Sequence, residues 1–291
     1  MAGVTQASRA MTDTVTFDLA KQSVRELNQF LHGGLGATKK VLVLNPDGAH
    51  NIAAGLNAAI EIEIDGHAGY YAAGMNQLAS VLIRGNAGPG LAEGMTSGVV
   101  HVKGFASVSA GAAAHGGLLI IDGDTSLRCG ISMKGVDIVV GGSVGDFSAF
   151  MAQAGRLVVC GDAGDALGDS LYEAVIYVRG KVKSLGADAH EEPMAAADYA
   201  AVGDLYTMDR DIGCPKGAYL FARLPVAVVL CKIELLDRRR RASNRCRGGN
   251  RRTALRKDAR RGKKTDQDRI SKFQRSTLQR QTISLNPQPA N

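Results

Sequence analysis

Four sets of residues in this 291-residue sequence are of types that could do chemistry. The stretch Gly85–Gly90, reading GNAGPG, could cradle a phosphate with its backbone N–H groups. That use needs a helix to follow inside a strand–helix–strand unit, and here another short apolar segment follows instead, so the plainer reading is a corner of the chain. Six His stand at 32, 50, 67, 101, 115 and 190. None has the i, i+4 spacing of a helical metal pair, and there is no HExxH. His67 and His115 fall in corners, and His101, between two inward-facing valines, is expected to point outward. A hydrolase acting on polysaccharide would group carboxylates on one face. Asp65 and Asp122 are three repeats apart, and Asp162, Asp165 and Asp169 share one repeat with no carboxylates expected to stack on them from adjacent repeats. The five Cys, at 129, 160, 214, 231 and 246, form no CxxC pair, which excludes a zinc ribbon and a disulfide framework. A nucleophilic thiol needs a base beside it, and none is in view; Cys129 and Cys160 sit where small residues pack. No residue is assigned a catalytic, cofactor-binding or metal-binding role.

What positions these residues is a repeat. Gly66, Gly85, Gly104, Gly123, Gly142, Gly161 and Gly180 are spaced 19 apart, and each closes a short apolar segment. Two residues before the glycine stand Ile64, Ile83, Val102, Ile121, Val140, Val159 and Val178; four before it stand Ile62, Val81, Val100, Leu119, Ile138, Leu157 and Ile176. This period-2 row of mostly β-branched side chains marks one inward face of a strand. The residue just before the glycine is usually charged, as at Asp65, Arg84, Lys103, Asp122 and Arg179, and is expected in solvent. The seven glycines are structural turn positions. One short strand cannot bury its own face, whereas stacked coils can. The fold class is therefore all-β: a single-stranded, right-handed parallel β-helix of about eight 19-residue coils with flanking short helices. High Gly (36 residues), no Trp and few aromatics fit such a thin, repetitive core.

Four regions follow. Residues 1–40 form an N-terminal segment with a capping helix expected over Asp18–His32, N-capped by Asp18; residues 41–186 form the β-helix; residues 187–203 form a short helical cap that contains an expected helix Glu191–Val202; residues 204–291 form an atypical tail. Up to Gly203 the chain carries 13 Lys/Arg and 20 Asp/Glu; from Asp204 it carries 22 and 8. Three readings of the tail stay open: an out-of-frame or misassembled coding sequence, a disordered basic arm drawn to nucleic acid or an acidic partner, and a neutral disordered extension. In its basic part, Arg238–Arg280, only Phe273 could stack on a base, which weakens the nucleic-acid reading. Whether Ala218–Leu236 forms a strand or a helix stays open, as does a start at Met11. The apolar runs are far shorter than the roughly 20 residues of a membrane span, and no secretory signal is read, so the expected location is the cytoplasm.

The segments GHAGYYAAGMNQ, GNAGPGLAEGMTSGVVHVKG, CGISMKGVDIVVGGSVG, SAFMAQAGRLVVCGDAGDALGDSLYEA and VRGKVKSLGAD, within roughly Phe17 to Val202, resemble the GXGXG domain family, the C-terminal β-helix of the glutamate synthase large subunit. The wording is most similar to the stand-alone GXGXG subunit of N-methylglutamate synthase-type systems, and more distantly to the β-helical subunit of formylmethanofuran dehydrogenase. The resemblance implies a scaffold without its own active site. Its partners would be a class II glutamine amidotransferase subunit and a synthase subunit carrying FMN and an iron–sulfur cluster, with no cofactor on this chain, no membrane and no nucleic acid. The alternatives are the β-helical subunit of a formylmethanofuran dehydrogenase-type complex and a basic-tailed nucleic-acid binder.

Overall fold

The computed structural model describes residues 13–210 and 227–230, and within them the repeated aliphatic segments form a β-solenoid. In chain order the elements are β1 (Thr14–Asp18), α1 (Val24–Gly33), β2 (Lys40–Leu44), β3 (Glu61–Asp65), β4 (Ser80–Ile83), β5 (Val99–Val102), β6 (Leu118–Ile121), β7 (Lys134–Val140), β8 (Ala154–Val159), β9 (Val175–Val178), β10 (His190–Glu192), α2 (Ala196–Arg210) and β11 (Ala227–Leu230). Strands β1 to β9 pair in parallel, each with the next, and β11 then β10 close that end of the sheet antiparallel.

The register follows the repeat. Ile62 pairs with Val81, Val81 with Val100, and the row continues through Leu119, Ile138 and Leu157 to Ile176. These residues and the row two further on are buried, and they form one continuous core with Val41 and Val43. Each buried aliphatic contributes about 1.5–3 kcal/mol, which a lone strand could not collect. The eight strands β2 to β9 bound about seven turns, in keeping with the expected stack of about eight coils.

Between strands the chain runs through a corner unlike a common turn. In successive coils the residue five after the corner glycine has positive φ: Tyr71, Gly90, Ser109, Arg128, Phe147 and Ala166. So does the residue two further on, as at Ala73, Ala92 and Ala149. Neighbouring N–H groups point in opposite directions along the stack: Tyr71 N donates to Pro89 O of the next coil, Ala73 N to Ile52 O of the previous one, and Met75 N to Glu93 O of the next. These bonds hold non-glycine residues in a conformation that costs each about 1–2 kcal/mol.

The ends differ from expectation. α1 begins after Ser23, not Asp18. Ser23 accepts from Glu26 N while Glu26 accepts from Ser23 N, a reciprocal capping box. Asp18 instead ends β1, whose Thr-Val-Thr-Phe-Asp alternates like a strand, and binds Asn45 and Lys21. At the other end, the expected helix Glu191–Val202 is β10 followed by α2: Pro193 holds the preceding residue extended and delays the helix to Ala196. Within Ala218–Leu236, Ala227–Leu230 is a strand. The basic run Arg238–Arg280, with Met11, Cys214, Cys231, Cys246 and Phe273, lies outside the described residues.

Candidate functional site

The corner after β4 holds GNAGPG. Every amide it owns is taken by a neighbouring coil: Gly85 N donates to Gly66 O, Asn86 N to His67 Nδ1, Ala87 N to Phe105 O, Gly88 N to Ala68 O and Gly90 N to Val108 O. Residue 89 is proline. No helix follows, and the amides that would cradle a phosphate are the rungs of the stack.

The same economy governs the polar residue one after five of the seven glycines. His67 Nδ1 accepts from Asn86 N, Asn86 Oδ1 from Phe105 N, Asp124 Oδ1 from Ser143 N, Ser143 Oγ from Asp162 N and Asp162 Oδ1 from Lys181 N, at 2.7–3.0 Å. His67 therefore carries its proton on Nε2. Carboxylates do stack across adjacent coils, contrary to expectation: Asp146 Oδ1 accepts from Asp165 N at 2.8 Å, and Asp165 accepts from Ser184 Oγ and Lys183 Nζ. The repeat spacing of 19 puts Asp146 directly over Asp165. Both serve the stack, with their outer oxygens toward solvent and lysine.

The seven corner glycines also stack on one another. A Cβ at Gly85 would lie 2.5 Å from Gly66 O, and one at Gly123 would lie 2.8 Å from Gly104 O. Of the seven, only Gly66 has a positive φ, so close approach of coils, rather than turn conformation, demands the absent side chain at the others.

The outer strand face departs most from the sequence reading. His101 points off the inward row as expected, yet it is only 1% exposed. Its Nε2 lies 2.8 Å from Asp122 Oδ1, and Lys103 Nζ lies 3.3 Å from the other oxygen. His101 Nδ1 is buried with no hydrogen-bond partner among the described residues. Burial pushes the Asp122 carboxyl up, but the His101 and Lys103 partners outweigh it and hold its pKa below 3.8. Beyond His101 the outer row continues through Ile120, Val139 and Val158 to Tyr177, a second apolar layer covered by Val202 and Leu205 of α2. Arg156 anchors this cover: it binds Asp137 through two nitrogens and donates to Ala201 O. Tyr177 donates to Asp198, and burial followed by that carboxylate pushes its phenol up to about 12. The sequence carries a signal for this layer, an apolar residue three before each glycine from Leu82 onward, broken only at His101.

Cys129 lies in the inner core, where burial pushes its thiol up to about 12; Cys160 packs against the outer layer. Two thiols in separate layers do not make the four-thiolate nest of an iron–sulfur cluster. Among the described residues no group of three His, Cys, Asp or Glu could hold a metal, and no helix is long and apolar enough to cross a membrane. A cavity of about 250 Å³ opens between the end of α1 and the first coil, lined by Leu31, His32, Leu35 and Asn57 among others. His32 Nε2 is bound there to Ala54 O.

No family model matches the chain. The chain is 54% identical over 179 residues to protein GlxC of Rhizobium meliloti (strain 1021), a match covering 61% of this chain and 78% of that protein. Among solved structures it is similar to a chain of the formyltransferase/hydrolase complex (FhcABCD) from Methylorubrum extorquens in complex with methylofuran. That similarity has 25% identity and a TM-score of 0.52, over 63% of this chain and 70% of that one.

Proposed function

The chain belongs to the GlxC family, and from that premise we propose that it is a non-catalytic scaffold subunit of a multi-subunit enzyme. One observation carries the reading: the polar groups that could have done chemistry, from the Gly85–Gly90 amides to Asp146 and Asp162, are bonded from coil to coil. Such a stack is a rigid ruler for other proteins. The likeness to one chain of the formyltransferase/hydrolase complex, itself an assembly, supports a subunit role.

In its finer form the proposal is a glutamate-synthase-like assembly of the GXGXG type, acting in glutamate or N-methylglutamate metabolism in the cytoplasm. The partners are a class II glutamine amidotransferase subunit and a synthase subunit that carries FMN and an iron–sulfur cluster. The second reading, favoured by the structural neighbour, is a solenoid subunit of a formyl-transferring complex.

Affinity purification of the tagged full-length chain from its native host tests this. Recovery of an amidotransferase and a flavoprotein in fixed ratio is expected. Recovery of formyl-transferring subunits would favour the second reading, and a chain recovered alone would overturn both.

A further inference from the structure

We infer that the arc of the coils between each corner glycine and the next strand is a docking surface for a partner protein, whose contact segment presents apolar side chains followed by a basic one. This rests on the scaffold reading and says where one partner sits. Nine large hydrophobic side chains are exposed among the described residues, and eight of them lie between a corner glycine and the next strand; the ninth is Tyr199 on α2. The apolar outer strand face is already covered within the chain, by α2.

The centre of the arc is a single file. Tyr70, Pro89, Val108 and Leu127 occupy the same place in four successive coils, and the file runs on into Asp146 and Asp165. The backbones of the file are locked in line. Tyr71 N donates to Pro89 O, Gly90 N to Val108 O, Ser109 N to Leu127 O, Arg128 N to Asp146 O and Phe147 N to Asp165 O, at 2.8–3.0 Å. Six residues at strand spacing span about 24 Å. A partner laid along this file meets apolar surface first and then Asp146; Asp165 is already paired with Lys183 Nζ at 2.6 Å, so the file selects apolar groups followed by a single Lys or Arg.

Two features show that this surface is maintained at a cost. Met75, Phe147 and Met151 hold positive φ while exposing 55, 43 and 41% of their surface. In other coils the chain places Gly at the matching positions, as at Gly90 and Gly94, so a cheaper residue was open to it. Phe105 interrupts the polar corner file: its neighbours Asn86 and Asp124 each accept an N–H from the next coil, whereas Phe105 offers no acceptor and leaves its ring 52% exposed. Large rigid apolar side chains on a preorganised backbone are what carry binding energy at interfaces.

The test is oxidative footprinting of the isolated full-length chain against the assembly recovered through it. Oxidation of Met75 and Met151 is expected to fall at least about fivefold in the assembly. Protection elsewhere with both methionines as reactive as before overturns the assignment while leaving the scaffold reading intact; a chain that recovers no partner overturns both. The double variant Phe105→Ser, Leu127→Ser alters only exposed side chains. It is expected to melt within a few degrees of the parent and to recover at least tenfold less partner, and normal recovery contradicts the proposal. Partner recovery is also expected to fall as salt rises, and salt-independent recovery contradicts the basic segment.

Discussion

Arg156 grips Asp137 of the preceding coil with Nε and Nη2, at 2.7 and 2.6 Å, and turns Nη1 to the Ala201 carbonyl of α2. One side chain thus ties two coils to the cover of the outer apolar layer. Arg156→Ala is expected to cost about 1.5–3 kcal/mol and to speed hydrogen exchange within Ala196–Leu205 ahead of the coils. Arg156→Lys should recover only part, because an ammonium does not reproduce the two-pronged contact. Uniform loosening of the coils would show that the link to α2 is incidental.

Val140 is fully buried in the inner row, between Ile121 and Val159. Val140→Asp brings an unpaired carboxylate into the stack and is expected to cost at least about 3 kcal/mol. Urea denaturation measures it. A soluble variant with unchanged midpoint and cooperativity would mean the inward row is misassigned.

Two glycine substitutions separate two physical causes. Gly123→Ala meets Gly104 O at 2.8 Å with an unremarkable φ, so its cost is steric, about 1–3 kcal/mol. Gly48→Ala meets nothing within 4 Å but holds φ +70, so its cost is conformational, about 1 kcal/mol. Gly48→Asn should cost less than Gly48→Ala, because Asn tolerates this conformation, whereas Gly123→Asn should cost more than Gly123→Ala. Thermal melts of the four variants check the crossed order.

The Asp122 pKa is lowered in the folded chain, so its stabilising contribution is present above the ordinary carboxylate value of 3.8 and is lost as pH falls through the folded value. Asp122→Asn should be less stable than the parent at pH 7, and the gap should close below about pH 4. A gap that stays constant from pH 7 to pH 3 would show that the His101–Asp122 contact is not what holds the charge.

The inner core is legible in the sequence because two inward positions recur in phase with a glycine seven times, and only stacking in parallel register satisfies that pattern. The Ser23–Glu26 capping box is equally readable in Ser-Val-Arg-Glu, but the apolar spacing that Leu19 extends masks it. The outer layer is harder to read because a single-face pattern assigns Ile120, Val139 and Val158 to solvent; only the return of α2 from some 60 residues downstream of Val139 buries them. The corner conformation is not legible at all. Tyr71, Met75 and Phe147 are poor choices for positive φ, and they adopt it because hydrogen bonds to residues 18 further on, in the next coil, over-determine the backbone. The stacked carboxylates, by contrast, are legible in the spacing, because Asp146 and Asp165 are 19 residues apart, the period of the repeat itself.

The scaffold account stands most directly on where the redox groups reside. The assembly recovered through the tagged chain should be separated under native conditions, and flavin and iron measured on each subunit. The account predicts neither on this chain, with both on a partner, and no turnover by the isolated chain. Stoichiometric flavin or iron held by this chain alone would contradict it.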